Sequence, residues 1–283
     1  MTTIAVTGTS GQLGRLIVDE LIERSVAPSD IIAIARNTAK ITDLADRGVV
    51  TRQGDYTDPA SIAAALAGVD RLVLVSSSEI GQRASQHANV IAAAEAADVR
   101  RIVYTSLLRA DTTTIGLGPE HKRTEEALTA SPIAATVLRN SWYLENYTGQ
   151  IAQYVATGTV LGATDGARIT AGARADYAAA AAVAAIQETE GVTYELGGST
   201  FTLDDLAAAV TTATGNAVEH RNVSVTDLAA ALEGAGLDAG TASFFASIDS
   251  DISRGELFTE STDLADLIGR APVTLADAVR AAL

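Results

Sequence analysis

Cysteine is absent from the chain. That excludes disulfides, zinc–thiolate and iron–sulfur centres and any cysteine nucleophile, and it fits a reducing compartment. Lysine is almost absent: of 20 basic residues only Lys40 and Lys122 are lysines. Against 35 acidic residues these leave a net charge of −15 and a pI near 4.5. Such a surface repels phosphate backbones and anionic lipid, so nucleic acid is not an expected partner. A site for an anionic ligand must be a local exception to that field. Long apolar runs are missing too. The longest, Tyr177–Ile186, has ten residues and is too short to span a bilayer, so no membrane insertion is expected. The first residues carry no basic stretch ahead of an apolar one, which predicts no secretory signal and a cytoplasmic protein. The three histidines, His87, His121 and His220, are scattered and predict no metal cluster. A nucleophile elbow Gly-x-Ser-x-Gly, a His-Glu-x-x-His zinc motif and a Gly-x-x-x-x-Gly-Lys loop are all missing.

What is present is a regular alternation. Short apolar runs at Thr2–Thr7, Ile31–Ala35, Val49–Arg52, Arg71–Ser76, Arg101–Thr105 and Thr136–Arg139 are separated by amphipathic segments. Continuous rather than alternating apolar runs predict parallel strands buried on both faces. Leu13, Leu16, Ile17 and Leu21 mark one helical face, and Asp58-Pro59 opens another helix with proline at its first position. The fold class is therefore α/β, a doubly wound parallel sheet. After about Asn140 helical patterns dominate: Trp142–Thr157, Arg174–Glu188, Leu203–Thr214, Val225–Gly234, Asp263–Ile268 and Leu275–Ala282. One strand-like piece, Thr193–Leu196, interrupts them. This predicts a smaller, mainly helical C-terminal domain over 141–283, with a soft boundary to residues 1–140 and the two packed as one unit.

Gly8-Thr9-Ser10-Gly11-Gln12-Leu13-Gly14 follows the first strand and opens the first helix. Glycine serves three needs there: a tight turn, close approach of a pyrophosphate to the backbone, and close packing of helix on strand. The helix start then offers unpaired N–H groups to the phosphates. Arg36 stands at the end of the second strand, where an acid would hold an adenosine ribose 2′-hydroxyl. A guanidinium there suits a 2′-phosphate, which favours NADP over NAD. Asp55, after the third strand, either bonds the adenine amino group or builds a turn or helix cap. Ser76, Ser77 and Ser78, after the fourth strand, let the backbone pass close to the ribose and nicotinamide, and Ser78 also reads as a cap for a helix starting near Glu79.

These residues, with Gly54-Asp55-Tyr56, Ser76–Arg83, Tyr104–Leu108, Arg139–Asn146 and Thr170–Ala179, resemble the NmrA-like atypical short-chain dehydrogenases over essentially the whole chain. Ser76–Arg83 is similar to the quinone-reducing members in particular. The resemblance implies a Rossmann domain, a cleft between it and the C-terminal part, NADPH as the preferred cofactor and a small quinone as acceptor. Two other readings stay open: a non-catalytic NADP(H) redox sensor, and a reductase of dyes or imines.

Short-chain dehydrogenases usually donate a proton from Tyr-x-x-x-Lys. None of the seven tyrosines has lysine four residues on. A quinone tolerates this, since its hydroquinone anion is resonance-stabilised and solvent can protonate it. His121 is the best single candidate for a protein acid; by resemblance it occupies the place of an active-site lysine in isoflavone-reductase-like relatives. A helix-start histidine facing solvent is the alternative. His87 reads as structural, and His220 as part of a polar turn. Ser106 and Tyr143 are the remaining proton sources. Thr105 and Ser106 end the fifth strand, where ligands bind in open α/β sheets, and suit the nicotinamide ribose or the acceptor carbonyl. Tyr104 is either substrate-facing or core. Asn140 reads as cofactor-binding. Trp142 and Tyr143 either stack on a flat ring or pack between the two parts.

Overall fold

The computed structural model describes residues 2–188 and 191–283. Its first part alternates β1 (Ile4–Val6), α1 (Gln12–Glu23), β2 (Ile31–Ala35), α2 (Thr42–Asp46), β3 (Val50–Gln53), α3 (Pro59–Ala65), β4 (Arg71–Leu74), α4 (Arg83–Ala96), β5 (Arg101–Leu107), α5 (Gly118–Ala130) and β6 (Ala134–Asn140). The second part runs β7 (Trp142–Tyr143), α6 (Glu145–Thr148), α7 (Ile151–Thr157), β8 (Thr159–Gly162), β9 (Ile169–Gly172), α8 (Arg174–Ile186), β10 (Thr193–Leu196) and β11 (Ser199–Phe201). It ends with α9 (Leu203–Thr214), β12 (Glu219–Asn222), α10 (Val225–Gly234), α11 (Ala239–Ser253), α12 (Asp263–Ile268) and α13 (Leu275–Ala281).

Seven strands form one parallel sheet in the order β10-β6-β5-β4-β1-β2-β3. The order reverses between β1 and β4, and a ligand cleft is expected at the carboxyl ends of those strands. β2 is buried at every position, as its unbroken apolar run requires. One core cluster lies on the α1 side of the sheet, where Ile17 and Leu21 meet the alanines of α8. Each such fully buried aliphatic contributes about 1.5–3 kcal/mol. Ala178–Ala182 are buried because their small side chains let α8 lie flush against both the sheet and α1. A second cluster on the other face joins Ile62, Leu66, Val90 and Leu128.

Residues on both sides of position 140 build this sheet. Thr193–Leu196 does not interrupt a helical region; it pairs with β6 and extends the main sheet, with α8 as its crossover. The remaining C-terminal elements gather round their own core of Leu203, Leu206, Val210, Ile248 and Val279, with two small sheets, β11-β9-β7 and β12-β8. The helix expected over Trp142–Thr157 is divided. Trp142 and Tyr143 pair with β9 as a short strand, and two short helices follow. Helix α11, which the sequence reading missed, starts at an Asp238 cap accepting from the Thr241 N–H. No helix among the described residues is long and apolar enough to cross a membrane.

Candidate functional site

At the reversal of strand order a cleft of about 740 Å³ opens. The loop from β1 to α1 forms one wall. Gly8 has φ +65°, a left-handed conformation that favours glycine. Gly14 admits no side chain, because a Cβ there would lie 2.5 Å from the Gly8 carbonyl oxygen. Helix α1 starts at Gly11 with no side-chain cap and no acid in its first turn, so its leading N–H groups stay available to an anion. Gly8, Ser10, Gly11, Gln12, Leu13 and Gly14 all line the cleft.

Thr9 does not. Its side chain is fully buried and its hydroxyl donates to the Ile34 carbonyl at 3.0 Å, bracing the loop on β2 from behind. Thr105 is corrected in the same way. Its Oγ1 accepts from the Ser76 N–H at 2.9 Å, while Thr7 Oγ1 accepts from Val75 and His87 Nε2 from Ser77. Three consecutive amides beyond the end of β4 are thus held by three buried side chains. The segment stays rigid where it leaves the sheet and loses its ladder. Ser76, Ser77 and Ser78 line the cleft, but Ser78 caps nothing, since α4 starts only at Arg83. It is Ser77 whose hydroxyl accepts from the Glu79 N–H.

Arg36 lies exposed at the mouth and pairs with Glu79 at 2.7 Å. Asp55 builds a turn, one of the two roles left open for it, and stands at the cleft. Oδ1 accepts from the Thr57 N–H and hydroxyl, which holds the carboxyl below its usual range, while the residue lines the cleft. Tyr104 is core: fully buried, it meets the His87 ring edge-on and its hydroxyl lies 2.8 Å from His121 Nδ1. It does not line the cleft.

His121 lines the cleft but does not face bulk solvent; it is 5% exposed. Burial, then Arg83, then His87 push its pKa well below 6.5. The ring is neutral near pH 7, so an imidazolium donor is not what these surroundings favour. The 2.8 Å contact fits either tautomer; we assign the Tyr104 hydroxyl as donor to Nδ1, which leaves the ring proton on Nε2 and facing away from Tyr104. Ser106 lines the cleft with its hydroxyl donating to Glu125 at 2.6 Å, and Glu125 is paired with Arg139 at 2.7 Å. Arg139 also pairs with Glu195 at 2.8 Å, which ties β6 to β10 beneath the site. Burial raises the Tyr143 pKa, which makes its hydroxyl a weaker acid. His220, expected in a polar turn, is on β12 with its side chain covered and Nδ1 3.1 Å from Asp204.

A family model described as NAD(P)H-binding matches residues 8–189. The chain is 48% identical to quinone oxidoreductase 2 of Escherichia coli K12, over 98% of this chain and 97% of that one. It is 30% identical to the NmrA-like family domain-containing oxidoreductase flvB of Aspergillus flavus, over 97% and 93% respectively. The chain belongs to the NmrA-like, NAD(P)H-binding family. Among solved structures, the Escherichia coli NADPH-dependent quinone oxidoreductase complexed with NADPH has a TM-score of 0.95 at 47% identity, covering 98% of both chains. Citrobacter sp. triphenylmethane reductase complexed with NADP(H) has a TM-score of 0.95 at 36% identity, covering 99% of this chain and 100% of that one.

In this NmrA-like chain the far wall of the cleft comes from the C-terminal part. Trp142, Tyr143, Asn146 and Arg174 line it, joined by Phe244 and Phe245 of α11. The two phenylalanines, with rings 5.6 Å apart, went unnoticed in the sequence, as did Gln86 and Leu117. The signal was there. Phe244, Ile248 and Ile252 recur at i, i+4 and i+8 behind an Asp-x-x-Thr cap, which is a helix pattern. Two buried acceptors at the cleft, Asn140 Oδ1 and Gln86 Oε1, have no partner among the described residues. Orphaned buried acceptors are unfavourable unless a ligand or water satisfies them.

Proposed function

We propose that this is a cytoplasmic NADPH-dependent oxidoreductase that transfers hydride to a small quinone. One observation carries the reading. A single cleft places an uncapped helix start and the Gly8–Gly14 loop on one wall and four aromatic side chains, Trp142, Tyr143, Phe244 and Phe245, on the other. The residues fit a dinucleotide. Gly8 and Ser10–Gly14 would hold the diphosphate, Arg36 the 2′-phosphate and Asp55 the adenine. The orphaned Asn140 Oδ1 would accept from the carboxamide end. When bound, NADPH supplies the hydride.

The protein's share is positioning and exclusion of water. The aromatic wall offers flat apolar surface to a ring. The clamped Val75–Ser77 backbone keeps the floor in place without rearrangement. Neutral His121 offers an N–H to a developing oxyanion rather than a full proton. His121→Ala is then expected to slow reduction of a weakly electrophilic acceptor by about 10²-fold, with a much smaller loss for an electron-poor quinone. The wild-type rate should show no inflection near pH 6.5, because the imidazole stays neutral there. Single-turnover rates across pH test this; a fall in rate as pH rises through 6.5 would show that an imidazolium is the donor after all.

The reading itself is tested by loss of dihydronicotinamide absorbance over a panel of quinones and dyes. Quinone turnover, faster with NADPH than NADH, is expected. Tight NADPH binding with no turnover of any acceptor would make the protein a sensor. Arg36→Ala should weaken NADPH by about 10- to 100-fold, the worth of a charge-assisted phosphate contact, and leave NADH unchanged. Arg36 must leave Glu79 to reach a phosphate, so the lower part of that range is expected. A variant that keeps the wild-type preference for NADPH removes Arg36 from the 2′-phosphate site.

A further inference from the structure

Three arginines line the cleft: Arg36, Arg83 and Arg174. Arg36 is paired with Glu79 and Arg83 with Glu120. The Arg174 guanidinium makes no ion pair among the described residues, in a chain with 35 acidic side chains. Its one hydrogen bond is a long contact of 3.4 Å to Asn146 Oδ1. The Glu145 carboxylate accepts the backbone N–H of Arg174, at 2.9 Å. The guanidinium instead lies over the Tyr143 ring, 4.7 Å from its centroid. Stacking of this kind holds a guanidinium in place while leaving its in-plane donors available.

The position is unfavourable for a cation in the absence of a ligand. Arg174 is the first residue of α8, where the helix dipole repels positive charge. Its location supplies a reason. Beside the cleft lies a second, shallower groove lined by Thr148, Ala152, Val155 and Asn216, and Gln12 and Arg174 are the two residues that border both. Arg174 and the first turn of α1 therefore flank the same two depressions. Helix α8 packs along α1, which brings the two helix starts to the same end of the sheet.

Resting on the NADPH reading above, we infer that Arg174 is a cofactor-binding residue that neutralises the dinucleotide diphosphate from the C-terminal side, with Tyr143 as its platform. Helix α1 offers N–H groups and a partial charge, but no full positive charge, to a group with two negative charges. Arg174 supplies the missing full charge. It also makes the C-terminal part a partner in cofactor binding, rather than only a lid over the acceptor. Tyr143 becomes a positioning residue through its ring, whatever its hydroxyl does.

The test is equilibrium binding, by calorimetry, of NADPH, NADH and adenosine 2′-monophosphate. Arg174→Gln is expected to weaken both dinucleotides by the same factor, about 10- to 100-fold. Adenosine 2′-monophosphate, which has no diphosphate, should bind as it does to the wild type. Arg174→Lys, which keeps the charge and the helix start, should recover part of the loss and serves if Arg174→Gln is poorly folded. Tyr143→Phe, which keeps the ring, should bind within about twofold of the wild type. Unchanged dinucleotide affinities in Arg174→Gln would overturn the inference. So would a loss confined to NADPH, which would place Arg174 at the 2′-phosphate. Failure of the wild type to bind either dinucleotide would defeat the cofactor reading itself, and with it this one.

Discussion

Gly11→Val is expected to abolish dinucleotide binding and leave the fold intact, whereas Gly14→Val is expected to damage the fold itself. The two glycines sit three residues apart in one loop and do different work. A Cβ at Gly11 meets only the Gly8 carbonyl oxygen, at 3.2 Å, and the backbone there has an ordinary φ of −90°. A side chain fits once the Gly8 carbonyl gives by a few tenths of an ångström, but it fills the space in front of the uncapped helix start where a diphosphate would lie. A Cβ at Gly14 would lie 2.5 Å from the Gly8 oxygen, 2.7 Å from its carbonyl carbon and 2.9 Å from the Thr7 oxygen. All three are backbone atoms of the turn and cannot yield cheaply. Overpacking of that kind costs about 3 kcal/mol or more. Thermal unfolding and calorimetric titration of both variants separate the two effects. Retained tight binding by a natively folded Gly11→Val would remove the loop from the phosphate site. An unchanged melting temperature for Gly14→Val would show that helix and strand do not pack as described.

The second large effect is on acid stability. Both buried histidines at the site are neutral in the folded protein, and their bonds explain why. His87 Nε2 accepts from the Ser77 N–H, so Nδ1 carries the proton and donates to Thr124 Oγ1, which passes its own proton to the Glu120 carbonyl. Protonating Nε2 would break the bond to Ser77. Burial, then the charge of Arg83, pushes the His87 pKa down to about 3, and burial dominates at His121 as well. A depressed histidine pKa means that the unfolded chain binds more protons than the folded one below pH 6.5. The stability these groups contribute is present above that value and is lost as pH falls through it toward the folded pKa. His87, with its pKa near 3, should remove about 1.4 kcal/mol per pH unit below 6.5, and His121 adds a loss of the same sign. Carboxylates add their own losses at lower pH. A His87→Gln, His121→Gln double variant isolates the histidine part. Its stability, from denaturant unfolding, should fall less steeply than the wild type between pH 6.5 and 4.5. Equal slopes would mean that neither imidazole is held neutral by the fold.

The outcomes at individual residues follow a pattern. The Gly8–Gly14 turn and the six first strands could be read because their signals are local. A turn that needs a positive φ demands glycine within one residue, and a strand buried on both faces is apolar along its whole length. Asp58 and Pro59 announced α3 in the same way, and Asp58 does accept from Ala60 and Ser61. Thr9 reads as ligand-facing from its place in the glycine loop and Thr105 from its place at a strand end, while Tyr104, also at a strand end, reads as either substrate-facing or core. They prove to be fully committed to partners elsewhere: Ile34, Ser76 and His121. Those partners are 25, 29 and 17 residues away, and nothing at the strand end itself distinguishes a hydroxyl that faces a ligand from one that holds a neighbouring loop.

By itself, then, the sequence determined the alternation of the first six strands with helices, the position of the Gly8–Gly14 loop and the charge of Arg36. Each of these depends on residues within one turn or one strand of one another. Only the tertiary structure decided which second-half strand closes the sheet, which residues form the far wall and which side chains remain free for a ligand. Thr193–Leu196 joins β6 because α8 carries the chain across the sheet to its open edge. Phe244 and Phe245 reach the cleft because α11 packs against the C-terminal core. Arg174 and Gln12 border the same cleft because α8 lies along α1. These neighbours are made by packing, which brings distant segments together at low extra entropic cost once the intervening chain is ordered. A list of residue types, however read, does not contain that proximity.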